Sequence, residues 1–108
     1  MVHYLLPQAP DGAEDTSRRY GDTGIRELIE NLRAQGARPC RLVAKIFGGA
    51  SVVGNPHPET AVGQKNIDLA RRLLDAENVP IVAEDVGECR GRRVVFHPDT
   101  GAAWVRKV

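Results

Sequence analysis

Arg41-Leu42-Val43-Ala44-Lys45-Ile46-Phe47-Gly48-Gly49-Ala50-Ser51 is the stretch whose reading decides the fold. Leu42, Val43, Ala44, Ile46 and Phe47 form a short apolar run interrupted only by Lys45, and two glycines end it at once. A run this short, stopped by glycine, predicts a buried strand feeding a tight turn. Consecutive glycines permit positive φ and close backbone approach, so main-chain N–H groups in the turn can face a neighbour or a ligand. The pair lacks the lysine and hydroxyl spacing of a phosphate loop, so by itself it names no function.

Working outward, Ile25, Leu28, Ile29 and Leu32 recur at the spacing of one helical face, with Arg26, Glu27, Glu30, Asn31 and Arg33 elsewhere on the wheel. The predicted start of this helix lies between Ser17 and Asp22, and Gly36 fits the position just past its end. Before it, Val2-His3-Tyr4-Leu5-Leu6 reads as a β-prone strand stopped by Pro7, followed by a polar loop from Gln8 to Ser17. Beyond the central strand, Gly54 to Glu59 reads as a polar loop and Val62 to Glu77 as a second helix, stopped by Asn78 and Pro80. Its apolar arc, with Ile67, Leu69, Ala70, Leu73 and Leu74, is wide enough to be buried between layers or against a partner. Pro80 to Asp85, Arg93 to Phe96 and Ala102 to Arg106 read as strands, the last two joined through Pro98-Asp99-Thr100-Gly101. The expectation is one α/β (α+β) domain over residues 1–108, layered, with a mixed sheet, two main helices and an antiparallel carboxyl-terminal strand group.

Composition narrows the functional classes. A chain of 108 residues that is 42% hydrophobic and 27% charged is ordinary for a globular protein, with room for a single core. At net charge +1, with Arg18-Arg19, Arg71-Arg72 and Arg92-Arg93 scattered rather than striped, nothing points to nucleic acid. No window has transmembrane length and the amino end lacks a signal-peptide layout, so the expected location is cytoplasmic, without membrane insertion.

The candidate chemical groups are few. Cys40 and Cys89 are far apart without a CxxC; Cys40, after Pro39, reads as a small packed residue, and Cys89 as a loop thiol near Arg90 and Arg92, which would favour the thiolate. His57 and His97, each next to proline, read as solvated loop residues, and no ligand spacing suggests a metal. His3, inside an apolar strand, is either a packed histidine with its ring nitrogens satisfied or a general base. Glu84-Asp85 is either an acid pair or a strand-end pair with Arg92 or Arg93 as ion partner.

Taken together, these segments resemble the chemoreceptor glutamine deamidase family, CheD. His3-Tyr4-Leu5-Leu6-Pro7 is similar to the family's His-x-x-Leu-Pro strand, and Tyr20-Gly21-Asp22-Thr23 to its Tyr-x-Asp-Thr motif. Lys45-Ile46-Phe47-Gly48-Gly49-Ala50 resembles its Lys-x-x-Gly-Gly-Ala turn, and Val62-Gly63-Gln64-Lys65-Asn66 its Ile-Gly-x-x-Asn helix start. Glu84-Asp85-Val86-Gly87 followed by Gly91-Arg92-Arg93-Val94 is similar to its Glu-Asp-x-Gly loop and next strand.

The resemblance implies a cysteine-dependent hydrolase that deamidates receptor glutamines to glutamate in chemotaxis, using a thiolate nucleophile, a histidine base and no cofactor. It makes His3 the catalytic base and Gly48, Gly49, Asp85 and Gly87 residues that shape the site. Family members carry the nucleophile on a preceding Leu-Gly-Ser-Cys segment, near a threonine that orients the histidine; the expectation is that this sequence begins after that segment. Glu88 stands where a second glycine is usual, and Cys89 is the possible substitute nucleophile. Implied partners are methyl-accepting chemoreceptors and a CheC-type phosphatase. The alternative is a catalytically inactive module that docks on either.

Overall fold

The computed structural model describes residues 1–8, 19–51 and 61–108. His57, Ser17 and most of the two predicted polar loops lie outside the described residues. The described elements are helix α1 (Gly21–Ala34), a 3₁₀ turn (Pro39–Arg41), strand β1 (Ala44–Gly48), helix α2 (Val62–Ala76) and strands β2 (Ile81–Val86), β3 (Arg92–His97) and β4 (Ala102–Lys107). The fold is α/β, with a parallel pair and an antiparallel pair of strands.

Both helices stop where the sequence says they should. After α1 the chain turns left-handed at Gly36, and the Ala37 N–H donates to the Leu32 carbonyl at 3.0 Å. After α2, Asn78 takes the left-handed position (φ 57) and the Val79 N–H donates to Leu74 O at 2.8 Å. Each is the six-to-one bond of a Schellman end, which satisfies a carbonyl the helix leaves open.

The helices share their apolar faces. Ile25 and Ile29 of α1 meet Ala70 and Leu74 of α2, with Val79 closing the cluster. Each large aliphatic removed from water there contributes roughly 1.5–3 kcal/mol. Ala44, Ile46 and Ile81 bring one face of the parallel pair against the same cluster, and Val2 and Tyr4 join it from the amino-terminal segment. Lys45, between Ala44 and Ile46, is exposed, and its ammonium donates to the Gly101 carbonyl at 2.6 Å, tying β1 to the β3–β4 hairpin. The register of the parallel pair slips between Ala44 and Lys45, whose partners are Ile81 and Ala83, so Val82 is an extra residue on β2.

Three sequence expectations are corrected. Among the described residues Val2 to Leu6 joins no sheet; its ladder is a single parallel bridge, Leu6 with Tyr20, and the Leu5, Leu6 and Pro7 main chain is bonded to Arg19, Gly21 and Asp22 around the start of α1. Cys40 is exposed rather than packed: Pro39 opens a 3₁₀ turn there and the turn carries the thiol outward. His97 ends β3 rather than lying in a loop, and its ring meets Trp104 edge-on, centroids 4.8 Å apart.

Two glycines let α2 seat against the end of β1. A Cβ on Gly63 would collide with the Gly49 carbonyl oxygen and lie 2.7 Å from its carbon, and a Cβ on Gly49 would stand 2.5 Å from Ile67 Cγ1. The approach at Gly63 is backbone against backbone, which no rotamer change relieves. Gly63→Ala is therefore expected to destabilise the chain by more than Gly87→Ala, which meets open space and carries only its positive-φ penalty of roughly 1–2 kcal/mol. Urea denaturation of the two variants checks the order.

Candidate functional site

In open α/β sheets, ligands gather beyond the carboxyl ends of parallel strands. Here that end is built from two turns, Gly48-Gly49-Ala50-Ser51 after β1 and Gly87-Glu88-Cys89 after β2. The Gly87 N–H donates to the Gly48 carbonyl at 2.8 Å and the Ser51 N–H to the Glu88 carbonyl at 2.9 Å, so the two turns are joined through their main chains.

Arg92, the first residue of β3, sits behind them. Its side chain is only 1% exposed, and its Nε donates to Asp85 Oδ1 at 2.7 Å. Nη1 donates to the Gly87 carbonyl at 3.0 Å and lies 3.3 Å from the Gly48 carbonyl. One guanidinium thus gathers Gly48, Asp85 and Gly87, which the sequence had assigned to site shape. Nη2 is buried without a partner.

His3 stands on the amino-terminal segment. Along Val2-His3-Tyr4-Leu5 the half-buried and exposed positions alternate, so Val2 and Tyr4 face the core while His3 and Leu5 face outward. No hydrogen bond holds the ring among the described residues, which removes the reading of a packed histidine with satisfied nitrogens. The segment is tied to α2 by the next two residues: the Tyr4 hydroxyl donates to the Asn66 carbonyl at 2.6 Å, and Asn66 Nδ2 donates to the Leu5 carbonyl at 3.0 Å. Asn66 lies about one turn beyond Gly63, the residue under the Gly49 carbonyl. The early turns of α2 therefore connect the histidine segment to the glycine turn.

Cys89 is exposed. The neighbouring cations are engaged elsewhere: Arg90 Nε donates to the Val108 carbonyl at 3.1 Å and Arg92 is paired with Asp85. Among the described residues no hydrogen bond joins Cys89 to His3. Glu84 pairs with Arg71 of α2 at 2.9 Å, so Glu84 and Asp85 act as two separate ion partners, not as an acid pair. Among the described residues no group of three or more His, Cys, Asp or Glu could hold a metal ion, and no helix is long and apolar enough to cross a membrane. Among the described residues, a shallow hollow lined by Gly36, Arg38 and Leu42 and another lined by Arg72, Val79 and Ile81 lie at the amino ends of the parallel strands, away from the joined turns.

With this geometry in hand, comparison with known proteins is decisive on kinship. Residues 5–107 match the family model described as CheD chemotactic sensory transduction. The chain belongs to the CheD family. It is 44% identical over its whole length to a probable chemoreceptor glutamine deamidase CheD 1 of Anaeromyxobacter dehalogenans, of which it covers 62%. It is 37% identical to the corresponding CheD 2 of Geobacter sulfurreducens, covering 66%, and 40% identical over 110 residues to a CheD of Thermococcus kodakarensis, covering 68%. The chain thus spans less than two thirds of the length of the first two relatives.

Sequence reasoning had Arg92 as an ion partner but missed it as the joint between the turns, because the carbonyls it holds come from separate loops. Asn66 was visible in the helix-start motif without a role. Two outcomes follow. Asp85→Asn should lower the unfolding free energy by about 3 kcal/mol, the scale for leaving a buried charge unpaired, because the Arg92 guanidinium it strands is only 1% exposed; Arg92→Ala leaves a carboxylate that is 36% exposed and should cost less in lost charge pairing, and a loss below about 1 kcal/mol in urea for Asp85→Asn would contradict the clamp. Burial also pushes the Tyr4 hydroxyl up to about 12 from its usual 10.0. The folded chain keeps a proton that the unfolded chain releases, so unfolding free energy should fall as pH rises from 10 towards 12, and less steeply in Tyr4→Phe.

Proposed function

We propose that this chain carries the histidine-bearing part of a chemoreceptor glutamine deamidase, with His3 as general base. The single observation that supports it most is the outward, unbonded imidazole of His3 on a segment anchored through Tyr4 and Leu5 to the early turns of α2, the helix whose Gly63 also meets the Gly49 carbonyl of the glycine turn. An imidazole on an anchored segment and a main-chain turn held by the same helix are the two kinds of group that acyl transfer uses.

In this reading a cysteine thiolate attacks the carboxamide carbon of a receptor glutamine and forms a tetrahedral oxyanion. His3, protonated by the thiol, returns that proton to the leaving nitrogen, and ammonia departs from a thioester. His3 then takes a proton from water, hydroxide adds to the thioester carbon, and the thiol is regenerated as glutamate is released. One carboxamide and one water yield one carboxylate and one ammonium ion, the departed ammonia taking up the proton that the new carboxylic acid releases, so no redox or group-carrying cofactor enters. Each turnover adds a negative charge to a receptor helix. The substrate would be the cytoplasmic part of a methyl-accepting chemoreceptor, and a CheC-type phosphatase would be a second partner of the same surface. The nucleophile is the cysteine of a Leu-Gly-Ser-Cys segment, with Cys89 as substitute.

The test is ammonia release from a glutamine-containing receptor fragment, measured for the chain alone and for the chain joined to an amino-terminal segment bearing the Leu-Gly-Ser-Cys stretch. The joined protein is expected to release ammonia, with kcat falling about 100-fold or more in His3→Ala and unchanged in Cys89→Ala. Release by the chain alone that is lost in Cys89→Ala would make Cys89 the nucleophile. Full activity in His3→Ala would overturn the assignment, and a folded but inactive joined protein would leave a docking module.

A further inference from the structure

We infer that Asn66 and Tyr4 are positioning residues that fix His3, an inference that rests on the reading of His3 as the base. The amino-terminal segment has two sets of ties. One holds its far end, where Leu5 and Leu6 donate to the Arg19 carbonyl at 2.9 and 3.1 Å and Leu6 and Pro7 accept from Gly21 and Asp22. The other is made to α2 alone and consists of the Tyr4 hydroxyl on the Asn66 carbonyl and the Asn66 carboxamide on the Leu5 carbonyl. His3 itself makes no hydrogen bond among the described residues, so its direction follows from the backbone that Tyr4 and Leu5 impose.

The chemistry of Asn66 suits that task. Its Nδ2 faces a carbonyl, which fixes the amide orientation and leaves Oδ1 buried without a partner. A buried acceptor left unpaired costs free energy. A leucine at this place would avoid the cost and would lose the hold on Leu5. Tyr4 acts from the other side: its ring packs against Gly21 of α1, where a Cβ would meet it at 2.7 Å, and its hydroxyl bonds to α2. Ring and carboxamide together prevent the segment from pivoting about Leu5. A general base displaced by about 1 Å loses much of its rate while substrate binding is untouched.

The test uses the whole chain labelled for NMR, with the ring signals of His3 and His97 as paired reporters. Asn66→Asp keeps size and shape but sets a carboxylate oxygen against the Leu5 carbonyl; Tyr4→Phe deletes one oxygen. In Asn66→Asp the His3 ring signals are expected to move to those of a histidine in an unstructured peptide, and in Tyr4→Phe to move part of the way, with His97 unchanged in both. Should Asn66→Asp fail to fold, which His97 reports, Tyr4→Phe decides. His3 signals that stay in place in the folded variants, or that already match a free peptide in the unaltered chain, overturn the inference. In the joined protein, Asn66→Asp should lower kcat about tenfold at constant KM, whereas full activity in His3→Ala would defeat the catalytic reading and leave the NMR result to judge positioning on its own.

Discussion

The contact on which the rest of the molecule depends is the one between two main chains, the Gly49 carbonyl and the Gly63 Cα. It sets the distance of α2 from the end of β1, and α2 in turn supplies Ile67, Leu69, Ala70 and Leu74 to the interior. Move the helix outward by the width of a methyl group and the interior opens along its length, while the amino-terminal segment, tied to the same helix at Asn66, moves with it. Packing and site geometry are consequences of one close approach.

The second constraint is electrostatic. Arg92 is almost fully withdrawn from water, and a buried guanidinium is strongly destabilising unless its charge is met. Asp85 answers the charge, and the Gly48 and Gly87 carbonyls answer two of the donor directions. Through these contacts the arginine fixes the relative position of the two turns, although its Nη2 finds no partner among the described residues. The exposed pairs, Glu30 with Arg33 and Lys107 with Glu88, have no such effect; pairs of that kind are worth about 0–1 kcal/mol.

Much of this architecture was legible in the sequence because it is local. Periodicity located both helices, Gly36 and Asn78 marked their ends, and Pro98 to Gly101 marked the hairpin turn. The errors arose where a tertiary or short-range competitor won. Val2 to Leu6 looked like a sheet strand, yet the main chain of Leu5 to Pro7 is taken up by Arg19, Gly21 and Asp22 around the start of α1. Cys40 looked packed because it adjoins an apolar run, but Pro39 nucleates a turn that exposes it. His97 looked like a loop residue because Pro98 follows, although β3 continues through it. At the candidate site, His3 and the glycines were recoverable from motifs, whereas the guanidinium joint depends on contacts between Arg92 and carbonyls as distant as Gly48, which no window of sequence displays.

The extra residue at Val82 has a further consequence. Among the described residues β2 has one hydrogen-bonded neighbour, β1, so its other side presents the beginning of an edge, with Val82 and Ala83 both exposed there. A straight apolar edge is an invitation for another chain to add a strand and begin an aggregate. An inserted residue breaks the regular spacing of N–H and C=O groups and twists the strand. The slip in register thus works as a guard on that border, letting β2 keep its valines without offering a template for cross-chain pairing.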